Sequence, residues 1–232
     1  MSYEPSAHEV QMKILRRLLF APTASFSDLL KQTELTSDHF NFHIKKLIDA
    51  GYVVKKGDVY TLTREGKEYA NRMDTDERVI EKQPKLSVLL IIEDGKGHYL
   101  AQERRKQPFY GFWGRMTGKI RWGETLEQAA TRELQEETGL TAQFRYAGLY
   151  HKMDFQHDGV FLEDKYFIVM YGSNPSGKLI TDTEGHHNEW LSVAELETKE
   201  TVFASIAEIT EFARSGSQGF IEKQYFYDPA EY

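Results

Sequence analysis

The stretch from Gly118 to Leu140, GKIRWGETLEQAATRELQEETGL, limits what this chain can become more than any other. Thr125 followed three residues later by Gln128 is a capping-box pattern, and Gly139 stands where a glycine closes a helix. The spacing predicts a helix between them. Glu133, Glu136 and Glu137 lie three and four residues apart, which on a 3.6-residue period places them within an arc of roughly 100°. A charge run is usually a solvated face. Here Leu126 and Ala129 share the arc of the acids, while Gln128, Thr131 and Gln135 take the opposite side. Three converging carboxylates repel one another unless a cation sits among them. Oxygen donors without Cys or His suit a hard ion, Mg2+ or Mn2+, shared with substrate phosphates.

The stretch resembles the Nudix box, G-x5-E-x7-R-E-U-x-E-E-x-G-U with U aliphatic. Gly118, Glu124, Arg132, Glu133, Leu134, Glu136, Glu137, Gly139 and Leu140 all match. The resemblance implies an α/β/α sandwich with a mixed sheet and hydrolysis of a nucleoside diphosphate linked to another group. It implies that Glu133, Glu136 and Glu137 hold the metal, helped by a backbone carbonyl near Gly118. Arg132 and Glu124 would pair and fix the loop onto the helix. Water would attack phosphorus in line, with its proton taken by a box glutamate or a loop carboxylate. Family members often recruit that extra group from a later loop; Glu184 is the first choice here, then His186 and His187. Many members also carry Pro-Gly-Gly before the box. Here Met116-Thr117-Gly118 keeps only the box glycine, which leaves loop geometry and substrate class open.

Around the box, Leu86 to Ile92 is nearly all apolar, a buried-strand pattern. A turn at Gly95-Lys96-Gly97 returns the chain as a second strand, His98 to Glu103. Arg104 and Arg105, just ahead of Trp113, are candidates to clamp phosphate and stack a base. The plain alternative is a solvated strand end beside core aromatics. After the box, Gln143–Phe155 and Val160–Tyr171 read as strands, Asn174 to Gly177 as a turn, and Thr201–Arg214 as an amphipathic helix. The aromatic tail from Phe220 packs along an edge or across a dimer. Gly111 to Trp113 is loosely similar to isopentenyl diphosphate isomerase, which shares the Nudix fold, but that enzyme type uses a catalytic Cys and this chain has none.

The first 73 residues read differently. Helices at Val10–Phe20, Ser27–Leu30 and Asp38–Ala50 precede two short strands around Lys56-Gly57, and a last helix follows Thr63. This order, with the run HFNFHIKKLIDAGYV, resembles a winged helix-turn-helix domain of the small bacterial repressor type. The resemblance implies that the third helix enters the major groove of double-stranded DNA and that the chain is a homodimer. Candidate contacts are Asp38, His39, Asn41, Phe42 and Lys45 on that helix, with Lys46, Lys55 and Lys56 on phosphates. A winged helix used only for protein contact is the alternative. Residues 10–73 carry 11 Lys/Arg against 7 Asp/Glu, whereas residues 74–232 carry 18 against 27. A mildly basic piece thus precedes an acidic body.

The expected architecture is a two-domain α+β chain: a winged helix over 1–73, a charged linker over 74–85, and a Nudix domain over 86–232. The substrate expectation is a nucleoside diphosphate derivative, such as ADP-ribose or a nucleotide sugar. The absence of cysteine among 232 residues excludes disulfides, thiolate zinc sites and a Cys nucleophile. No apolar run is long enough to span a bilayer and no signal-peptide pattern opens the chain, so the expected compartment is the cytoplasm, without a membrane partner. A regulator whose Nudix half only senses a nucleotide is the competing reading. Retention of every box acid favours catalysis.

Overall fold

The computed structural model describes residues 9–33, 35–74, 79–80 and 83–232. The chain divides into two compact units, 1–82 and 83–232. Half of the expected linker, residues 75–78 and 81–82, lies outside the described residues.

The first unit runs α1 (Glu9–Phe20), β1 (Ala24–Ser25), α2 (Phe26–Leu30), α3 (Ser37–Asp49), β2 (Val53–Lys56), β3 (Val59–Leu62) and α4 (Arg64–Asn71). Strands β4 (Met73–Asp74) and β5 (Val79–Ile80) then pair antiparallel. The hairpin β2–β3 accepts β1 as a third strand, in the order β1-β3-β2. One face of each helix supplies the core. Ile14, Leu15 and Leu18 of α1 meet Phe40, Ile44 and Leu47 of α3 around Leu29. These are the i, i+3, i+4 positions that the sequence periodicity marks. Thr63 caps α4 by accepting from the Gly66 backbone N–H.

The second unit contains β6 (Lys85–Ile92), β7 (Tyr99–Arg104), β8 (Trp113–Gly114), β9 (Met116–Lys119), α5 (Leu126–Thr138), β10 (Leu140–Gln156), β11 (Phe161–Gly177), β12 (His186–Leu191), α6 (Val193–Glu197), α7 (Ile206–Ser215) and β13 (Gly219–Tyr227). Five strands form a mixed sheet in the order β13-β10-β11-β6-β9, in which β13 runs parallel to β10 and β11 parallel to β6. Three others form an antiparallel sheet, β12-β7-β8. Helices cover both faces of the five-stranded sheet, giving an α/β/α sandwich. This explains the apolar run of β6: Val88, Leu90 and Ile92 pack toward Ala129, Ala130 and Leu134 of α5, while Leu89 and Ile91 pack toward Ile209 and Ala213 of α7.

Three expectations change. The strands 86–92 and 98–103 do not form a ladder; they meet at a single bridge, Glu93–Tyr99, and β7 leaves for the second sheet. Asn174 to Gly177 is not a turn but the end of β11, where the register skips between Ser173 and Ser176 and Asn174 has φ +51°. A bulge uses the same Asn and Pro chemistry as a turn, because it too tolerates positive φ and a missing N–H. Helix α7 starts at Ile206 rather than Thr201, because the Trp113 backbone donates to the Thr201 carbonyl and accepts from the Phe203 N–H. The tail lies along the sheet edge as β13.

Candidate active site

Helix α5 has the capping box that its sequence signals. Thr125 accepts from the Gln128 N–H, the Gln128 side chain accepts from the Thr125 N–H, and Gly139 closes the helix at φ +71°. Burial of Ala129, Ala130 and Leu134 sets its rotation. That rotation brings Glu133 and Glu137 to the wall of a cavity of about 610 Å³. Glu136 is exposed and turns toward Arg121 and Arg132, at 3.2 and 3.4 Å. Of the three carboxylates, Glu133 and Glu137 thus line the cavity, while Glu136 meets Glu133 through the shared Arg132 guanidinium. Among the described residues, no three acids or histidines stand together as a metal-holding group.

Arg132 is the knot of the box. It donates bidentately to Glu124 at 2.5 and 2.8 Å, to the Lys119 carbonyl at 2.9 Å, and to Glu133 at 2.7 Å. The Arg132 bonds to Glu124, with the Arg121 backbone N–H at 2.8 Å, hold the Glu124 carboxyl down to about 2. Because that folded value lies below the ordinary 4.5, Glu124 contributes stability that is complete above pH 4.5 and is lost as the pH falls through 2. Glu124→Gln is expected to flatten that part of the acid limb in urea unfolding followed against pH.

Gly118 has a steric task. A Cβ there would stand 2.2 Å from Cγ and Cδ of Glu133. The obstructing atoms belong to a side chain able to swing away. Gly118→Ala is therefore expected to keep the melting temperature within a few degrees while displacing the Glu133 carboxylate, cutting turnover by about 10². A large loss of stability with activity retained would refute this role.

Glu137 accepts from the Gln102 amide at 3.0 Å, and Gln102 also donates to Asn188 at 3.0 Å. Burial raises the Glu137 pKa and the neighbouring Glu133 adds to that, while Gln102, Lys106 and Arg104 work against it. His186 Nδ1 lies 3.5 Å from Glu137. This is not an ion pair at neutral pH: burial, then Lys106 and Arg104, push the imidazole down to about 4, so it is uncharged.

The remaining candidates separate cleanly. Arg104 lines the cavity, its Nε donating to the Pro108 carbonyl. Arg105 does not line it; it is paired with Asp182 at 2.7 Å. Trp113 is core, packed with Ala101, Leu191 and Leu196 under the Lys199 ammonium. Glu184 is exposed and off the cavity wall, whereas His186 is buried and on it. The reason is strand β12: it begins at His186 and pairs with Arg104, which pulls that residue inward and leaves Glu184 in the preceding bend. His187 bonds to Asp182 instead.

Sequence reasoning missed a second group on the cavity wall. Lys152, Glu163, Lys165 and Lys85 line it, and Asp154 is fully buried behind them. Lys152 bonds to Asp154 and, at 3.1 Å, to the Tyr227 hydroxyl; Lys165 bonds to Glu163 and Asp154; Lys85 bonds to Glu163 at 2.5 Å. Burial pushes the Lys152 amine down to about 8 against the pull of Asp154. The signal was present in the sequence, since Lys152/Asp154 and Glu163/Lys165 alternate with period 2 on two strands joined by one turn.

A sandwich of this kind, with a capped helix presenting glutamates beside a glycine strand, defines a class. Residues 83–211 match the family described as NUDIX domain, and the chain belongs to the Nudix family. Residues 2–73 match a family described as a domain of unknown function (DUF7347). The chain is 38% identical over 80 residues to 8-oxo-dGTP diphosphatase of Escherichia coli (strain K12), covering 34% of this chain and 57% of that protein. It is 33% identical over 104 residues to ADP-ribose pyrophosphatase of Methanocaldococcus jannaschii, covering 42% and 60%. It thus spans under two thirds of either curated relative. The solved NUDIX domain of Shewanella oneidensis NrtR, complexed with ADP ribose, is 20% identical with a TM-score of 0.49, covering 66% of this chain and 98% of that one.

Proposed function

We propose that this chain is a metal-dependent pyrophosphohydrolase that cleaves the diphosphate linkage of a nucleoside diphosphate derivative. The observation that carries this reading is the meeting of Glu133 and Glu137 with a surplus of lysines and arginines in one cavity. The donor chemistry fits a hard divalent cation. The two carboxylates share a partly buried wall, where burial first and then the charge of Glu133 raise the Glu137 pKa. Glu133, Glu137 and the Gly118 carbonyl would hold Mg2+ or Mn2+, with Glu136 joining by turning from Arg121. When bound, the ion supplies charge neutralisation at phosphorus and a water of lowered pKa.

The chain's own residues do the rest. Arg104 and Lys106 lower the Glu137 pKa through space and are placed to draw phosphate oxygens to the same spot. Gln102 fixes the orientation of one Glu137 oxygen. The other is free to take a proton from attacking water, a role that Glu184 cannot fill from outside the cavity. Arg132 and Glu124 anchor the loop and hold Glu133 against β9.

The test is incubation of the full chain with Mg2+ and a panel of ADP-ribose, NAD(H), nucleotide sugars, dinucleoside polyphosphates and nucleoside triphosphates. Release of a nucleoside phosphate from one member is the expected result. Thermal stabilisation by one compound without turnover of any would move the reading to a ligand-sensing regulator.

A second reading, of the first unit, is a winged helix-turn-helix that binds double-stranded DNA as a homodimer. It is supported by α3, whose His39, Asn41, Phe42, Lys45 and Lys46 are exposed together, and by exposed Lys55 and Lys56 on the β2–β3 hairpin. Duplex affinity is expected to fall steeply with salt, and Lys45→Ala/Lys46→Ala to reduce the slope of log affinity against log salt by about 2. A salt-independent affinity, or a monomer by light scattering, would refute it.

A further inference from the structure

The lysines of the second group stand abreast. In register, Lys152 of β10 faces Lys165 of β11, which faces Lys85 of β6. Like charges directly opposite one another on a sheet face are destabilising, and three in a row are kept only where something offsets them. Within the protein the offset is incomplete. Asp154 and Glu163, themselves a facing pair one alternation further along, supply two negative charges against three positive ones. Lys85 at one end of the row is largely exposed, but the Lys152 end sits in an apolar setting, its ammonium within 5.9 Å of the Phe109, Phe203, Tyr225 and Tyr227 ring centroids. There a net charge is poorly screened and strongly attracts an opposite one.

The row opens onto the same cavity as the box glutamates. Arg104 lines the same cavity, together with Glu163 of this group and Glu137 of the box. Around the whole cavity, eight lysines and arginines face three glutamates among the described residues. A diphosphate and its cation at Glu133 and Glu137 engage the box end and leave the lysine row unmatched.

We propose that Lys85, Lys152 and Lys165 form a second anion subsite, and that the substrate is a nucleoside diphosphate derivative bearing a further phosphate ester away from the scissile linkage. This rests on the pyrophosphohydrolase reading for the word substrate, but the subsite itself does not. Strands about 4.8 Å apart spread the three lysine positions over about 10 Å, a width suited to a phosphate monoester on a sugar. The buried Phe109 ring, 5.9 Å from the Lys152 ammonium and 5.8 Å from that of Lys165, backs the row from inside the fold.

The experiment compares pairs that differ by one phosphate ester: NAD with NADP, and dephospho-coenzyme A with coenzyme A. Binding to the full chain with Mg2+ is measured by calorimetry, and hydrolysis is followed in parallel. The phosphorylated member of at least one pair is expected to bind tenfold or more tightly. Lys85→Gln and Lys165→Gln should narrow that ratio to below threefold, while Lys85→Arg keeps it. Lys85 is largely exposed, so its replacement leaves the fold intact. Equal affinity within both pairs, or a ratio untouched by Lys85→Gln and Lys165→Gln, would overturn the subsite. A preserved ratio without hydrolysis of any compound would sink the pyrophosphohydrolase reading and leave the subsite standing. Hydrolysis without a ratio would do the reverse.

Discussion

Glu137→Gln is expected to yield a folded protein whose turnover falls by a factor on the order of 10²–10³. The side chain is half-buried, accepts one hydrogen bond from Gln102 and carries a pKa raised chiefly by burial. Gln matches it in volume and keeps an oxygen for Gln102, so the melting temperature should hold. What is lost is the negative charge that the cation and the attacking water need. The comparison is kcat beside a thermal unfolding curve for the two proteins. A fully active variant would remove Glu137 from the reaction and return the role of base to another group.

The largest stability effect is expected at Asp154. Its carboxylate is inaccessible to solvent and lies between Lys152 and Lys165. Removing one partner from a buried charge cluster leaves the others uncompensated, at a cost of about 3–5 kcal/mol. For a unit of this size, Asp154→Asn should lower the melting temperature by roughly 10 °C. Replacing the pair together, as Lys152→Met/Asp154→Leu, removes both charges while leaving Lys165 its partner Glu163, and should recover much of the loss. If the double variant is as unstable as the single one, packing rather than charge governs this position. Calorimetric scans of the three proteins decide the point.

The helix at the centre of the site was readable residue by residue. Its Thr125 cap and its Gly139 terminus follow from local spacing. So do the β6 run, legible as a strand covered on both faces, and the Glu124–Arg132 pair that the box resemblance implies. The three core helices of the first unit were equally visible in their periodicity. Arg104 lines the cavity, but Arg105, next to it in the chain, and Trp113 do not. Adjacent residues on a strand point to opposite sides, and Arg104 faces the cavity while Arg105 meets Asp182.

What the sequence by itself determined about this protein is therefore what depends on near neighbours: the α5 cap and terminus, helical faces, strand alternation and the box. What only the tertiary structure decided is which of those faces meet. It turned Glu136 away from the cavity wall that Glu133 and Glu137 share, because Arg121, in the loop between β9 and α5, reaches back to Glu136. It chose His186 over Glu184, because β12 pairs with β7. It set Lys152, Lys165 and Lys85 abreast from strands as much as 80 residues apart in the chain. The physical reason is that side-chain direction follows from local backbone geometry, whereas the partner it finds follows from strand register and sheet order. Those are settled by the burial of the whole core at once.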